Sequence, residues 1–159
     1  MKTARSVLIL TGAVALLAAC ASPAARFTAA DETEVRALFD STVSRVRAKN
    51  WEAWAGEFTD SAVFQPSNAK ALRGRPAILA WGKGFPPIEA FSMWDVHVWG
   101  DGNLAYGTSA IGIKIKDAPA DTSKQLVVFQ RSPAGKWEVA AVSVNSDLPS
   151  APPPVPAKK

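Results

Sequence analysis

The chain has 159 residues, a formal net charge of +4, six tryptophans and one cysteine. This length allows a single domain with its own hydrophobic core, and one cysteine excludes a framework of disulfides within the chain. Without Lys2 and Arg5 of a predicted leader the net charge falls to +2. So small an excess does not indicate nucleic-acid binding, which needs clustered basic residues on one face.

Residues 1–19 have the pattern of an export signal. A basic start precedes the apolar run Val7 to Leu17, which is shorter than the ~20 residues that cross a bilayer. The run ends in Leu-Ala-Ala-Cys, which resembles the lipobox of bacterial lipoproteins, a pattern cut before its cysteine. The segment therefore predicts a signal peptide and lipidation of Cys20. An ordinary cleaved signal peptide is the alternative.

Lipidation of Cys20 implies attachment to a membrane of the bacterial cell envelope, because several acyl chains on one residue hold a domain stably. Ala21, and not an aspartate, follows the cysteine. In a diderm host, the resemblance to the lipoprotein sorting rule then implies the periplasmic face of the outer membrane. Residues 20–28 are predicted to be the lipidated cysteine and its tether, and 150–159 a Pro-rich disordered tail.

Residues 29–149 are predicted to form one domain that begins with three helices. Asp31 with Glu34 resembles a capping box, and apolar residues then recur at helical spacing in a helix that ends near Lys49. The same spacing from Trp51 to Phe58 predicts a second, short helix. After a brief strand over 62–65, a proline following Gly74-Arg75 predicts the start of a third helix.

From residue 91 onward, strand-like runs alternate with turn residues. Four strands are predicted, over 91–99, 104–116, 124–131 and 136–146. Helices first and strands afterwards favour an α+β fold. We expect a curved antiparallel sheet with the three N-terminal helices packed on its concave face, so that helices and sheet enclose a cone.

Four spaced segments resemble landmarks of the SnoaL-like and DUF4440 branches of the NTF2-like superfamily. They are Asp60 to Pro66, Arg73 to Ile78, Gly102 to Tyr106 and Gly135 to Val139. The resemblance covers about 31–149 and implies the cone-shaped α+β fold, often with homodimerisation through the outer face of the sheet. It does not imply one activity, because this fold serves isomerases, cyclases, dehydratases and binding proteins.

Ketosteroid isomerases of that superfamily carry a carboxylate base on the first strand, just before a proline. Here Gln65 precedes Pro66, and the strand Leu126 to Gln130, near which that family sets a second acid, contains apolar residues. An amide cannot abstract a proton near neutral pH, so isomerase chemistry by this route is not expected. Gln65 is still able to hydrogen-bond a ligand.

Asp60, His97 and Tyr106 are the remaining candidates for proton transfer. The commoner use of an aspartate at a helix-to-strand junction is to fix that junction by hydrogen bonds. His97 is the single histidine, and a pair with Asp95 on the outer face is either functional or merely solvated. One histidine, a lipidated cysteine and scattered carboxylates do not supply a metal site. Neither a metal nor a cofactor is expected.

Strand alternation also predicts which side of the strand 91–99 faces the core. Met93, Asp95, His97 and Trp99 would share one face, and Trp94, Val96 and Val98 the other. Because the second set is purely apolar, it is predicted to be buried.

Aromatic residues are abundant in the domain and suit either a filled core or the wall of an apolar pocket. The candidate ligand-binding residues are Trp54, Phe58, Gln65, Trp81, Phe85, Tyr106, Phe129 and Asn145. The leading hypothesis is an envelope lipoprotein that binds a small apolar or amphipathic molecule without catalysis. The alternatives are a pocket enzyme of isomerase, dehydratase or cyclase type, and a filled-core module that binds other proteins.

Overall fold

The computed structural model describes residues 26–149. The predicted signal peptide, Cys20 and the Pro-rich tail lie outside these residues. The described part contains three helices and six strands: α1 (Ala29–Arg47), α2 (Trp51–Ala55), β1 (Phe58–Gln65), β2 (Leu72–Arg73), α3 (Arg75–Lys83), β3 (Ile88–Asp101), β4 (Leu104–Ile115), β5 (Ala120–Arg131) and β6 (Trp137–Ser146). None of these helices is long and apolar enough to span a membrane.

The six strands form one sheet in the order β2-β1-β6-β5-β4-β3. Strands β3 to β6 form an antiparallel meander, as their short turns predict. Strand β1 is the exception, because it runs parallel to β6. Strands β2 and β3 lie at opposite edges of the sheet, and the connection through α3 joins them. The predicted α+β arrangement, helices on a curved sheet, is confirmed.

Helix α1 begins earlier than the capping pattern predicts. Thr28 is its N-cap, and the box pairs Thr28 with Asp31 instead of Asp31 with Glu34, so that detail of the prediction is wrong. The Asp31 carboxylate accepts hydrogen bonds from the backbone N–H and the hydroxyl of Thr28, each at 2.8 Å. Asp31 is therefore the third residue of the helix, where a carboxylate also favours the positive end of the helix dipole.

Three strands begin before their predicted starts, and one of them is β3, which begins at Ile88 instead of residue 91. Strand β1 begins at Phe58, which places Asp60 inside the strand, and β5 begins at Ala120, which places Asp121 and Ser123 on the sheet. The predicted turn over 117–123 is therefore too long. Its polar residues resemble a loop in sequence, although they alternate in step with the apolar residues that follow.

A bulge in β3 changes which of its residues face the core. Trp94 pairs with Ala110 and His97 with Thr108, so two β3 residues lie opposite Ser109 alone, and Asp95 takes a positive φ of 54°. The extra residue reverses the alternation. Trp94 is consequently exposed on the outer face, and its predicted burial is wrong.

The same bulge corrects the position of Met93, which faces the helices. Beyond it the prediction is confirmed, since Val98 is buried while His97 and Trp99 lie on the outer face.

Helix α1 packs across the concave face of the sheet. Val35 and Phe39 are buried beneath it, and the guanidinium groups of Arg36 and Arg47 donate to backbone carbonyls of β3 at 2.8 and 2.7 Å. Gly107 on β4 permits the close approach, because a Cβ there would lie 2.8 Å from the Phe39 ring. All described elements share one core.

Candidate functional site

An apolar cavity of about 290 Å³ lies between the helices and the concave face of the sheet. It extends from the buried pair Phe39 and Phe129, whose rings meet at 5.5 Å, to the segment Pro66 to Asn68 that follows β1. Its wall is formed mainly by aliphatic and aromatic side chains of α1, α2, α3 and the inward positions of β3 to β6. The predicted cone is therefore open.

Aromatic side chains of α2, α3 and β1 form one side of this wall. The Trp54 ring lies 5.1 Å from Phe58, and the Trp81 ring lies 5.0 Å from Phe64 and 4.8 Å from Phe85. Most of these rings meet edge to face, an arrangement that their quadrupoles favour. The cluster arises because α2 and α3 each place aromatic residues toward the sheet at helical spacing.

Gly82 allows α2 and α3 to approach each other. A Cβ at this position would lie 3.0 Å from the Trp54 ring and 3.1 Å from the Trp51 ring. Gly82, inside α3, thus has a packing role in the wall.

Five of the eight predicted ligand-binding residues line the cavity: Trp54, Phe58, Trp81, Phe85 and Phe129. The other three do not. Tyr106 lies on the outer face with 46% of its surface exposed. Gln65 and Asn145 lie together at an adjoining polar cleft where β1 and β6 end.

The alternation of the strands explains these three positions. Phe64 and Val144 face the cavity, so their neighbours Gln65 and Asn145 point to the other side of the sheet. Ala105 is buried, which turns Tyr106 outward in the same way. The placement of these three residues in the cone is therefore corrected.

The three candidates for proton transfer also lie outside the cavity. The Asp60 side chain is 93% exposed and pairs with Arg75 at 3.2 Å, while Arg75 donates to the Phe58 carbonyl at 2.8 Å. This geometry fixes the junction between α3 and β1. His97 on β3 and Tyr106 on β4 lie on the outer face, and strands β5 and β6 separate them from Asp60 on β1. The structure does not bring the three together.

His97 takes part in an exposed pair. Its Nε2 lies 2.8 Å from Oδ1 of Asp95, and its ring stacks on Trp99 with centroids 5.7 Å apart. In the part of the chain that the structure describes, no group of three or more His, Cys, Asp or Glu side chains could hold a metal ion.

Sequence reasoning missed the polar part of the cavity wall. We call it the β5 polar stripe, and it consists of Asp121, Ser123 and Gln125. Gln125 Nε2 donates to Oγ of Ser109 at 2.9 Å. Its members occupy alternate positions of β5, as Val127 and Phe129 do farther along the strand. This alternation is the sequence signal that predicts the stripe on the cavity face.

Asp121 has an incomplete set of partners. Its Oδ2 accepts a hydrogen bond from Ser146 Oγ at 2.8 Å and lies 3.5 Å from Ser123 Oγ. Its Oδ1 is buried and has no hydrogen-bond partner among the described residues. Buried acceptors are normally satisfied, so this oxygen calls for a donor that the chain does not supply.

Glu57 is a second buried carboxylate, and it lies beside the wall instead of in it. It pairs with Arg45 and accepts hydrogen bonds from the hydroxyls of Ser41 and Thr42, the latter at 3.1 Å. Burial raises the pKa of Glu57, and these partners oppose the rise. Because they lie on α1 and Glu57 directly precedes β1, the cluster joins helix to strand.

No family model matches the chain, and no curated protein matches it. Solved structures do. An NTF2-like protein of unknown function from Pseudomonas putida KT2440 superposes with a TM-score of 0.66 at 20% identity, covering 74% of this chain and 87% of its own. An NTF2-like protein with a cystatin-like fold from Novosphingobium aromaticivorans also gives 0.66, at 18% identity, over 94% and 95%.

A ketosteroid isomerase-like protein from Erwinia carotovora atroseptica gives 0.62 at 16% identity, over 74% of this chain and 96% of its own. These likenesses show the fold. The described chain has the cone architecture of NTF2-like proteins, as the spaced sequence segments predicted.

Proposed function

We propose that this NTF2-like domain binds a small apolar or amphipathic molecule in the cavity beneath α1. The observation that carries the proposal is the cavity itself. Its volume of about 290 Å³ is close to the lower end of the ~300–1,000 Å³ typical of ligand pockets. Its wall is mainly apolar with a few placed polar groups, which is the usual composition of such sites. An open apolar space also lacks packing contacts that a ligand would supply.

The chemistry of the wall supports binding over catalysis. Among the described residues that line the cavity, Asp121 is the one with a titratable side chain. Asp60, His97 and Tyr106 lie elsewhere, so a proton-transfer set built on them does not face a bound molecule. The open cavity also argues against a filled core, which the interaction-module hypothesis requires.

Catalysis of isomerase, dehydratase or cyclase type is the second candidate function. The observation that favours it is a carboxylate at the cavity, because Asp121 is placed to exchange a proton with a bound molecule. Recovery of an unchanged ligand after long incubation supports the binding role, whereas an altered ligand whose formation requires Asp121 supports the enzyme.

The binding proposal is tested with a fluorescent apolar probe such as N-phenyl-1-naphthylamine. The protein is produced from residue 22 onward, which retains every described element and omits the lipid. Ile113 is half-buried and lines the cavity, and Leu126 is exposed on the outer face. Ile113→Trp is expected to abolish probe fluorescence. Leu126→Trp, which also replaces an aliphatic side chain by tryptophan but on the other side of the sheet, is expected to leave it unchanged. Equal effects would contradict the proposal.

A lipid anchor at Cys20 is part of the same proposal, supported by the lipobox-like sequence. Even fully extended, the tether of residues 20–28 reaches about 30 Å, so the cavity would lie close to the membrane surface. Metabolic labelling with a radioactive fatty acid in a bacterial host is expected to mark the wild-type chain and not Cys20→Ser. Fractionation of a diderm host then tests the outer membrane as its location.

The finer assignment to the SnoaL-like or DUF4440 branch rests on the four spaced sequence segments. In the structure they lie at β1, at the start of α3, at the β3–β4 turn and at the start of β6. These are positions that shape the cone and its turns, so they support a fold assignment more directly than an activity.

A further inference from the structure

The cavity wall is asymmetric along strand β5. Val127 and Phe129 face inward next to the apolar end of the cavity, whereas the β5 polar stripe continues the same face toward the other end. Because alternate strand residues advance by roughly 6.6 Å, Asp121 lies roughly 13 Å along the strand from Gln125. A ligand that fills the cavity therefore contacts apolar groups at one end and polar groups at the other.

Asp121, at the polar end, lacks a hydrogen-bond donor for one of its two carboxylate oxygens. One carboxylate oxygen of Asp121 is occupied by the hydroxyl of Ser146, and the other is buried without a partner among the described residues. A carboxylate has room for about four hydrogen bonds. A donor on the ligand would use this remaining capacity once the side chain turns the enclosed Oδ1 toward the cavity.

The charge of the cavity also favours a ligand that carries a hydrogen-bond donor. Asp121 is the one charged side chain among the described residues lining the cavity, and it takes part in none of the ion pairs among those residues. An anionic head group would meet this carboxylate without a compensating cation in an apolar surrounding, where charge repulsion is strong. A hydroxyl or ammonium group would meet an acceptor.

We infer that the ligand carries a hydrogen-bond donor, a hydroxyl or an ammonium group, on an apolar body, and that Asp121 receives this donor. The inference rests on the proposed function, since it needs a molecule in the cavity. Asp121 would then select the head group of the ligand and discriminate against fatty carboxylates of the same size.

Three probes of equal chain length test it: octylamine, 1-octanol and octanoate, each titrated calorimetrically into the protein from residue 22 onward at neutral pH. The wild type is expected to bind octylamine and 1-octanol at least about tenfold more tightly than octanoate, a difference of about 1.4 kcal/mol. Asp121→Asn keeps the shape of the side chain and removes its charge. It is expected to erase the preference for octylamine over octanoate.

The matched control is Asp117→Asn, which removes the same charge from an exposed turn residue just before β5. It should keep the wild-type order of the three probes. Octanoate bound as tightly as octylamine by the wild type, or identical behaviour of the two variants, would overturn the assignment of Asp121.

The two proposals fail in different ways. If all three probes bind equally and Ile113→Trp prevents their binding, the cavity is a ligand site and the role of Asp121 is refuted. If neither these probes nor the fluorescent probe binds, the proposed function itself is refuted, and the inference about Asp121 with it.

Discussion

The indole of Trp99 stacks on the phenol ring of Tyr106 on the outer face of the sheet, with ring centroids 5.1 Å apart and planes 18° from parallel. The two residues are directly paired on β3 and β4, and both are nearly half exposed. Leu104 and Leu126 are also exposed on this face. Soluble monomers rarely expose large contiguous apolar patches, so we propose that this face is the interface of a homodimer.

Charge introduced into this face is expected to separate the dimer. Trp99→Glu places a carboxylate in the stack and should weaken dimerisation at least about tenfold, since interface aromatics often carry much of the binding energy. Light scattering coupled to gel filtration measures the mass across a concentration series. Lys70→Glu, on the loop between β1 and β2, is the control and should remain dimeric. A wild-type monomer at all concentrations would refute the interface.

Asp31 is expected to make the free energy of unfolding depend on pH in the acidic range. Its pKa is held below the usual aspartate range, first by the hydroxyl and then by the backbone N–H of Thr28, and further by the indole N–H of Trp137 and by Arg131. Because the folded pKa is the lower one, the stabilisation is present above the unfolded pKa of about 3.9 and is lost as the pH falls below it toward the folded pKa.

Urea unfolding at several pH values between 7 and 3 measures this effect. Asp31→Asn is expected to be less stable than the wild type at pH 7 and to lose less stability below pH 4. Asp40→Asn removes a carboxylate from the exposed side of the same helix and should follow the wild-type profile. Parallel profiles for the wild type and Asp31→Asn would show that Asp31 does not couple folding to pH.

The fold was predictable from the sequence wherever a local pattern decides the structure. The third helix begins beside Pro76, and the four long strands lie where their turns place them. The bulge at Asp95 was not predictable, because it depends on how β3 fits β4 and not on the composition of β3. One inserted position was enough to move Trp94 to the outer face and Met93 to the cavity.

The cavity was predictable in part for a related reason. Aromatic residues on helices keep their facing at helical spacing, so Trp54 and Trp81 were placed in the wall. On strands, the face of a residue reverses with each step. Tyr106 and Asn145 were assigned by side-chain type without that information. Asp121 was missed because a polar segment before a strand resembles a loop.

Phe85 offers the cleanest single test of the aromatic wall. It is half-buried beside Trp81, so Phe85→Ala removes a contact surface with a limited loss of packing. We expect affinity for N-phenyl-1-naphthylamine to fall about tenfold, in line with ~1.5 kcal/mol for a partly buried aromatic. Trp54→Ala is less suitable, since truncating so buried a ring costs ~3–5 kcal/mol of stability.

The matched control is Tyr106→Ala, another aromatic truncation on the opposite side of the sheet. It should change probe affinity less than twofold while the domain stays folded. A larger loss of affinity for Tyr106→Ala than for Phe85→Ala would place the binding site on the outer face and contradict the cavity.

Gly107 is expected to be intolerant of even one methyl group. A Cβ there would lie 2.8 Å from the edge of the Phe39 ring and 3.1 Å from the carbonyl oxygen of His97, and the β4 backbone cannot retreat because it is paired on both sides. Gly107→Ala should therefore destabilise the domain by about 1–3 kcal/mol in urea unfolding, the usual cost of overpacking. Gly84→Ala, where the nearest atom is 3.5 Å away and the backbone φ is −84°, should be neutral or slightly stabilising.

A second substitution, Phe39→Leu, tests whether the clash with the Phe39 ring causes the destabilisation, because it removes the ring. If the clash is the cause, Gly107→Ala will cost less in that background than in the wild type, whereas strictly additive effects would show that the penalty arises elsewhere.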